Sequence, residues 1–392
     1  MARISRLAAL VTAAITAAAS VLAGAVSPAS ASPGPAGSGP ANWPQFHYNA
    51  AHTGYNPLET TLGPANAPSL HLLWLASTAN AGTGPGSVSI AHGRAFLGGF
   101  GPPKLWAWNA STGALRWKRP TDDLNESTPA VGGGRVFIES NGGILYAFGA
   151  ASGRELWTRS IGGAVTSPAL AKGVVYAAGS ATMNAFNAAT GTLLWSTPLR
   201  GVVRSNPAVA NGRVFVAAEG SSRTRNLVAL DAATGAQLWA RKAGAVQLAS
   251  PAVSGGTVYQ CSGSGLFAFW ARHGFLRWFQ PDACSLDSSP AVANGVVYTS
   301  ATGSPLRAFS AAAGSLLWSS STPAGSTFAA APAVANGVVY AAAAQGTIAA
   351  YDVATHDPLW TSPDLGLGES SPAVVNGVLY AADGAGLYAF GP

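Results

Sequence analysis

The sequence predicts an all-β fold, an eight-bladed β-propeller built from four-stranded units. Three observations predict it. Eight tryptophans recur at near-constant spacing, most units carry the same two turn signals, and the apolar runs between the turns are short and rich in Val, Ala and Tyr. The tryptophans are Trp74, Trp117, Trp157, Trp195, Trp239, Trp278, Trp318 and Trp360, separated by 43, 40, 38, 44, 39, 40 and 42 residues. A fixed period of this size marks a repeat architecture.

Within a unit, Ser/Thr/Asn-Pro-Ala comes first, at Pro129, Pro168, Pro207, Pro251, Pro290 and Pro372, with Ala331-Pro332 as a variant. Asn-Gly or a similar pair follows, as at Asn211-Gly212, Asn294-Gly295, Asn336-Gly337 and Asn376-Gly377. Both residues tolerate positive φ, so the pair signals a tight hairpin. The third signal is Asp/Asn-Ala-x-Thr-Gly, as at 187–191 and 231–235. Its short polar side chain bonds nearby backbone N–H groups while Gly takes the left-handed position. The unit closes on Leu-Leu-Trp. Four short strands result, and such a unit cannot bury both faces alone, so units must stack.

The ends select a closed ring. The repeat starts with a lone final strand around Trp74 and stops at Leu387–Phe390, one strand short. Leu70–Ser77 is therefore expected to be the outer strand of the last blade, which removes the open edge. Departures at Phe269-Trp270-Ala-Arg-His273-Gly274, at Ser310 to Gly314 and at His356 suggest that the turn is under weak constraint.

The organisation follows from composition. Residues 1–31 carry Arg3 and Arg6, an apolar stretch and Ala29-Ser30-Ala31, the pattern of a cleaved signal peptide. Residues 32–41 are rich in Pro, Gly and Ser and read as a flexible linker. Residues 42–69 lead into the ring, which occupies 70–392. Export to the extracellular space is expected, with no membrane span after cleavage and a monomeric state. Without Arg3 and Arg6 the chain holds 19 basic and 15 acidic residues, scattered and without basic runs, which gives nucleic-acid binding no support. Cys261 and Cys284 are expected to form one disulfide, because both lie on the same face of neighbouring blades.

The repeat resembles the pyrroloquinoline-quinone (PQQ)-type propeller repeat, in which Asp-x-x-Thr-Gly-x-x-x-Trp closes each blade. Asn42-Trp43-Pro44-Gln45-Phe46 and Gly54-Tyr55-Asn56-Pro57 also resemble the first segment of such proteins. That family includes quinoprotein dehydrogenases and the barrel-assembly lipoprotein of Gram-negative outer membranes. The dehydrogenases would imply PQQ on the axis, held by calcium with Glu, Asn and Asp ligands, and often an adjacent Cys-Cys disulfide. No adjacent cysteines occur here, and no carboxylate aligns with that set. The six histidines, 47, 52, 71, 92, 273 and 356, show no metal-ligand spacing. Trp106 and Trp108 share one strand face and are expected to pack between blades.

One constellation remains. Three positions before each repeated Pro stand Glu126, Val165, Arg204, Leu248, Asp287, Ala329 and Glu369, and one or two positions before it are mostly hydroxyls. These residues are expected to surround the axis on one face. Hydroxyls there would satisfy backbone groups at a solvated channel mouth, and the mixed charges of Glu126, Arg204, Asp287 and Glu369 mark a binding face. The expected function is a secreted, non-catalytic scaffold for a protein, cell-wall or small-molecule partner, without catalytic residue, metal or cofactor. The alternative is a small PQQ- and calcium-dependent dehydrogenase of alcohols or sugars.

Overall fold

The computed structural model describes residues 42–78, 86–99, 104–219, 226–244, 249–284, 288–301, 304–321, 330–342, 346–365 and 370–392. The expected signal peptide and linker lie outside them. Eight antiparallel sheets form eight blades, spanning 89–120, 130–160, 169–198, 208–241, 252–281, 291–319, 333–361 and 373–391. We number them 1 to 8 in that order. The described residues are all-β apart from one 3-10 turn, Ala67–Ser69. The outer strand of blade 8 is His71–Ser77, paired antiparallel with Gly386–Gly391, so the N-terminal strand closes the ring. Leu70 does not join the strand as expected; it caps the 3-10 turn.

Tryptophan and turn meet across blades rather than within one. The indole N–H of Trp117 donates to the Ala150 carbonyl of the next blade at 3.1 Å. Trp157, Trp195, Trp239 and Trp278 repeat this with Ala188, Ala232, Ala271 and Ala311. Each ring lies against the left-handed Gly of that neighbouring turn: a Cβ on Gly153, at φ +65°, would stand 2.6 Å from the Trp117 ring. The turn is thus tightly constrained, which corrects the expectation drawn from its departures. At blade 7, His356 keeps the positive φ of 68° and stacks on Trp318, with ring centroids 4.9 Å apart. Trp106 and Trp108 are buried and stacked at 6.1 Å, as expected of blade packing.

The lead-in segment fills the axis. It runs along the innermost strands and engages all eight blades. Trp43 bridges Ile90 of blade 1 by two backbone bonds, of 2.7 and 2.8 Å. The carbonyls of Pro44, Ala50, Ala51, Thr53 and Gly54 accept the N–H groups of Val131, Val209, Val253, Val292 and Val334, in blades 2, 4, 5, 6 and 7. Gln45 serves blade 3, its side-chain oxygen accepting Leu170 N–H at 2.8 Å, and Asn56 serves blade 8, donating to the Val374 carbonyl at 2.8 Å. Innermost strands have one free edge, and a buried unpaired N–H is costly. The segment removes that cost at one equivalent position in blades 1 to 7 and satisfies the carbonyl at the same position in blade 8.

Two histidines complete this plug. His47 contacts the carbonyls of His52 and Pro332, and His52 contacts that of Pro251. Burial lowers His47 to about 4, against a partial rise from its carbonyl bonds. His52 falls to about 3 through burial and then the neighbouring His47. Both rings are neutral at physiological pH. Glu59 anchors the end of the plug by accepting N–H groups from Thr61, Leu62 and the Asn-Gly turn at Gly377.

Candidate functional site

The opposite face is built from the loops that enter each innermost strand. The residue before the repeated Pro sits beside its counterpart in the next blade, and the two are joined. Ser371 N–H donates to Ser87 Oγ, Ser87 to Thr128, Thr128 to Ser167, Ser167 to Asn206, Asn206 to Ser250, and Ser250 to Ser289, all within 3.0 Å. This belt runs from blade 8 through blade 1 to blade 6. It explains why Ser, Thr or Asn precedes Pro: the side chain accepts the N–H of the preceding blade's counterpart. The hydroxyls therefore satisfy backbone groups, as expected, but they do so while buried and across blades. Blade 7 has Ala331 at this position, which offers no acceptor.

Just beneath the belt lies Glu139, at the end of the second strand of blade 2 and 1% exposed. Its backbone N–H donates to Ser127 Oγ, and Thr166 of blade 3 donates to Oε2. Oε1 has no partner. Burial raises its carboxyl to about 8, with bonds to Thr166 and the Ala178 backbone opposing, which favours the neutral form at pH 7. The sequence reading missed this residue, although a signal existed: the equivalent positions are Gly98, Ala178, Ala217, Cys261, Ser300, Ala342 and Ala382.

Of the four charged residues expected on this face, two are described. Glu126 Oε1 accepts from the Asn141 amide at 3.2 Å, in a loop pinned by Tyr146 donating to Asp122 at 2.9 Å. Arg204 pairs with Glu219 at 3.6 Å, and both side chains are about half exposed. Glu126 and Arg204 thus engage local partners in blades 2 and 4 rather than each other. Asp287 and Glu369 lie outside the described residues, as does Leu248. Cys261 and Cys284 form the expected disulfide, with Cα atoms 5.7 Å apart, tying the loop into blade 6 to the second strand of blade 5.

A calcium-held quinone needs several hard oxygen ligands converging. Among the described residues no three His, Cys, Asp or Glu side chains converge to hold a metal. Among the described residues, the buried carboxyls near the belt each face a hydroxyl, Glu139 that of Thr166 and Asp383 that of Tyr388. Asp287 and Glu369, the other carboxylates expected on this face, lie outside the described residues.

The family model described as outer membrane protein assembly factor BamB matches residues 62–166, 140–283 and 268–392. The chain belongs to this family. Its fold is the PQQ-like propeller, shared with solved structures of low sequence identity. A europium-containing methanol dehydrogenase superposes with a TM-score of 0.75 at 13% identity, covering 91% of this chain and 99% of that one. BamB from Moraxella catarrhalis gives 0.66 at 17% identity, covering 82% and 99%. A quinohemoprotein alcohol dehydrogenase from Comamonas testosteroni gives 0.70 at 16%, covering 89% and 80%. No curated protein matches the chain in sequence. No helix among the described residues is long and apolar enough to cross a membrane.

Proposed function

We propose that this protein is an exported, non-catalytic propeller that presents the loop face around Glu126, Arg204, Asp287 and Glu369 to a binding partner. The observation that carries the reading is the arrangement of charge. Glu126 and Arg204 stand on separate loops, each with its own local partner, over a belt that holds those loops in place. A rigid ring with variable loops suits recognition. Family membership supports it as well, since the matched family model is described as an assembly factor.

The test is capture of a cell-envelope partner by the mature protein, compared with the triple variant Glu126→Ala, Asp287→Ala and Glu369→Ala. We expect capture to weaken at least about tenfold, while the melting curve stays nearly unchanged. Full-strength binding by the variant would refute the assignment of this face. In parallel, the protein mixed with PQQ and calcium should elute from gel filtration without quinone absorbance. Stoichiometric retention would replace the scaffold reading with a dehydrogenase.

A further inference from the structure

Blade 5 breaks the repeat at its rim, and the breaks share one chemistry. Where blades 1, 3, 4 and 7 place Asn109, Asn187, Asp231 and Asp352 to cap the third turn, as Asp231 does for Ala233 and Thr234, blade 5 places Trp270. Its turn forgoes those capping bonds. Phe275 stands where blades 1, 3, 4 and 6 carry Ala114, Thr192, Ala236 and Ser315. Phe279 stands where blades 1 to 4 carry Lys118, Thr158, Ser196 and Ala240. These aromatics face solvent: Phe275 is 63% exposed, Trp270 43% and Phe279 39%. Local rules are given up chiefly where function requires it.

Cations frame the rings. The Arg277 guanidinium lies 4.1 Å over Trp270, and Arg241 of blade 4 lies 5.8 Å from Phe275. Arg272 and Lys242 are exposed beside them in sequence. Between Asp231 and Asp282 the chain contains no Asp or Glu. The strip is apolar, aromatic and uniformly positive.

Its backbone edge is also open. In blades 1, 2 and 4, Arg119, Arg159 and Arg241 donate Nε to the next blade's turn glycine and fold Nη1 back onto the carbonyls of Lys118, Thr158 and Ala240 on their own outer strand. Those edges are guarded. Blade 5 has Gln280 at the arginine position, so it lacks this guard, as do blades 3, 6 and 7 with Thr197, Ser320 and Ser362. The Gln280 carbonyl abuts Gly265 of the third strand, so that of Phe279, one residue earlier, points outward.

We propose that the outer strand of blade 5, Leu276–Pro281, docks an extended acidic segment of a partner polypeptide, which adds to the sheet as a fifth strand. Backbone bonds to Phe279 supply part of the affinity, apolar side chains rest on Phe275 and Phe279, and carboxylates meet Arg277, Arg272 and Lys242. This rim site is separate from the loop face proposed above.

The probe is a fluorescent peptide of alternating Glu and Val, titrated into the full chain by anisotropy. Saturable binding that weakens with salt is expected, and a Lys-Val peptide should not bind. Phe275→Ser and Arg277→Glu should each weaken it at least about tenfold, as for interface residues at the centre of a patch, while Glu126→Ala leaves it unchanged. The same peptide methylated on alternate backbone nitrogens keeps its charge and side chains but cannot pair, and should lose binding. Equal binding of the methylated peptide would overturn strand addition. Absence of binding, or a preference for polygalacturonate or oligothymidylate over the peptide, would overturn the proposed partner chemistry.

Discussion

The two ends of the axis are finished in different ways. On the Asn-Gly side, a single non-repeated segment meets every blade at one equivalent position. On the loop side, the repeats finish themselves, each passing an N–H to its neighbour's side chain. The first device concentrates stability in a few residues outside the repeat, while the second spreads it over many residues inside it. A repeat protein can therefore vary its loops on the belt side, because no single loop holds the ring.

That contrast can be broken most severely at Glu59. Replacing it with Ala strands two buried N–H groups, of Leu62 and Gly377, and the part-buried one of Thr61, and we expect a loss of about 3 kcal/mol in urea unfolding. A single belt substitution, Ser167→Ala, should cost only about 1 kcal/mol by the same measurement. Comparable losses would erase the distinction between concentrated and distributed support.

Titration separates the two sides by sign. His47 and His52 have folded values below the usual 6.5, so the stability they contribute is present above that pH and is lost as pH falls toward about 4 and 3. Glu139 is raised from 4.5 to about 8, so its contribution is present below 4.5 and is lost as pH rises through 8. Between about 6.5 and 8 only the loop side responds. There Glu139→Gln should flatten the pH dependence of the unfolding free energy, and a slope equal to that of the unmodified chain would reject the assignment. The smallest expected effect comes from completing the belt. Ala331→Ser places an acceptor beside the blade 6 segment and should add at most about 1 kcal/mol. A destabilisation would mean that blade 7 is offset from the ring at this level.

Legibility in the sequence followed periodicity. The blade count, the strand exchange at His71–Ser77 and the disulfide could all be read, because repeats place equivalent residues at predictable heights and faces. Glu126 and Arg204 were legible as loop residues, but their local partners Asn141 and Glu219 were not. The plug was invisible for a physical reason: most of what it satisfies is backbone N–H, present in every residue and therefore unmarked. The belt was half visible, since the hydroxyls before Pro stood out while their acceptor role in the adjacent blade did not. The weak-turn inference failed because the Gly is held by a Trp about 40 residues away in sequence.

The strand exchange between His71–Ser77 and Gly386–Gly391 also bears on biosynthesis. The earliest part of the ring to be made waits for the latest, and the plug finds its last anchors, Val374 and Gly377, only when blade 8 exists. A nascent chain halted before that blade would keep the plug's bonds to blades 1 to 7 but lack its anchors at Val374 and Gly377 and leave His71–Ser77 without a partner strand. Closure of the ring is thereby coupled to synthesis of blade 8, because the partner of His71–Ser77 is the last strand to be made.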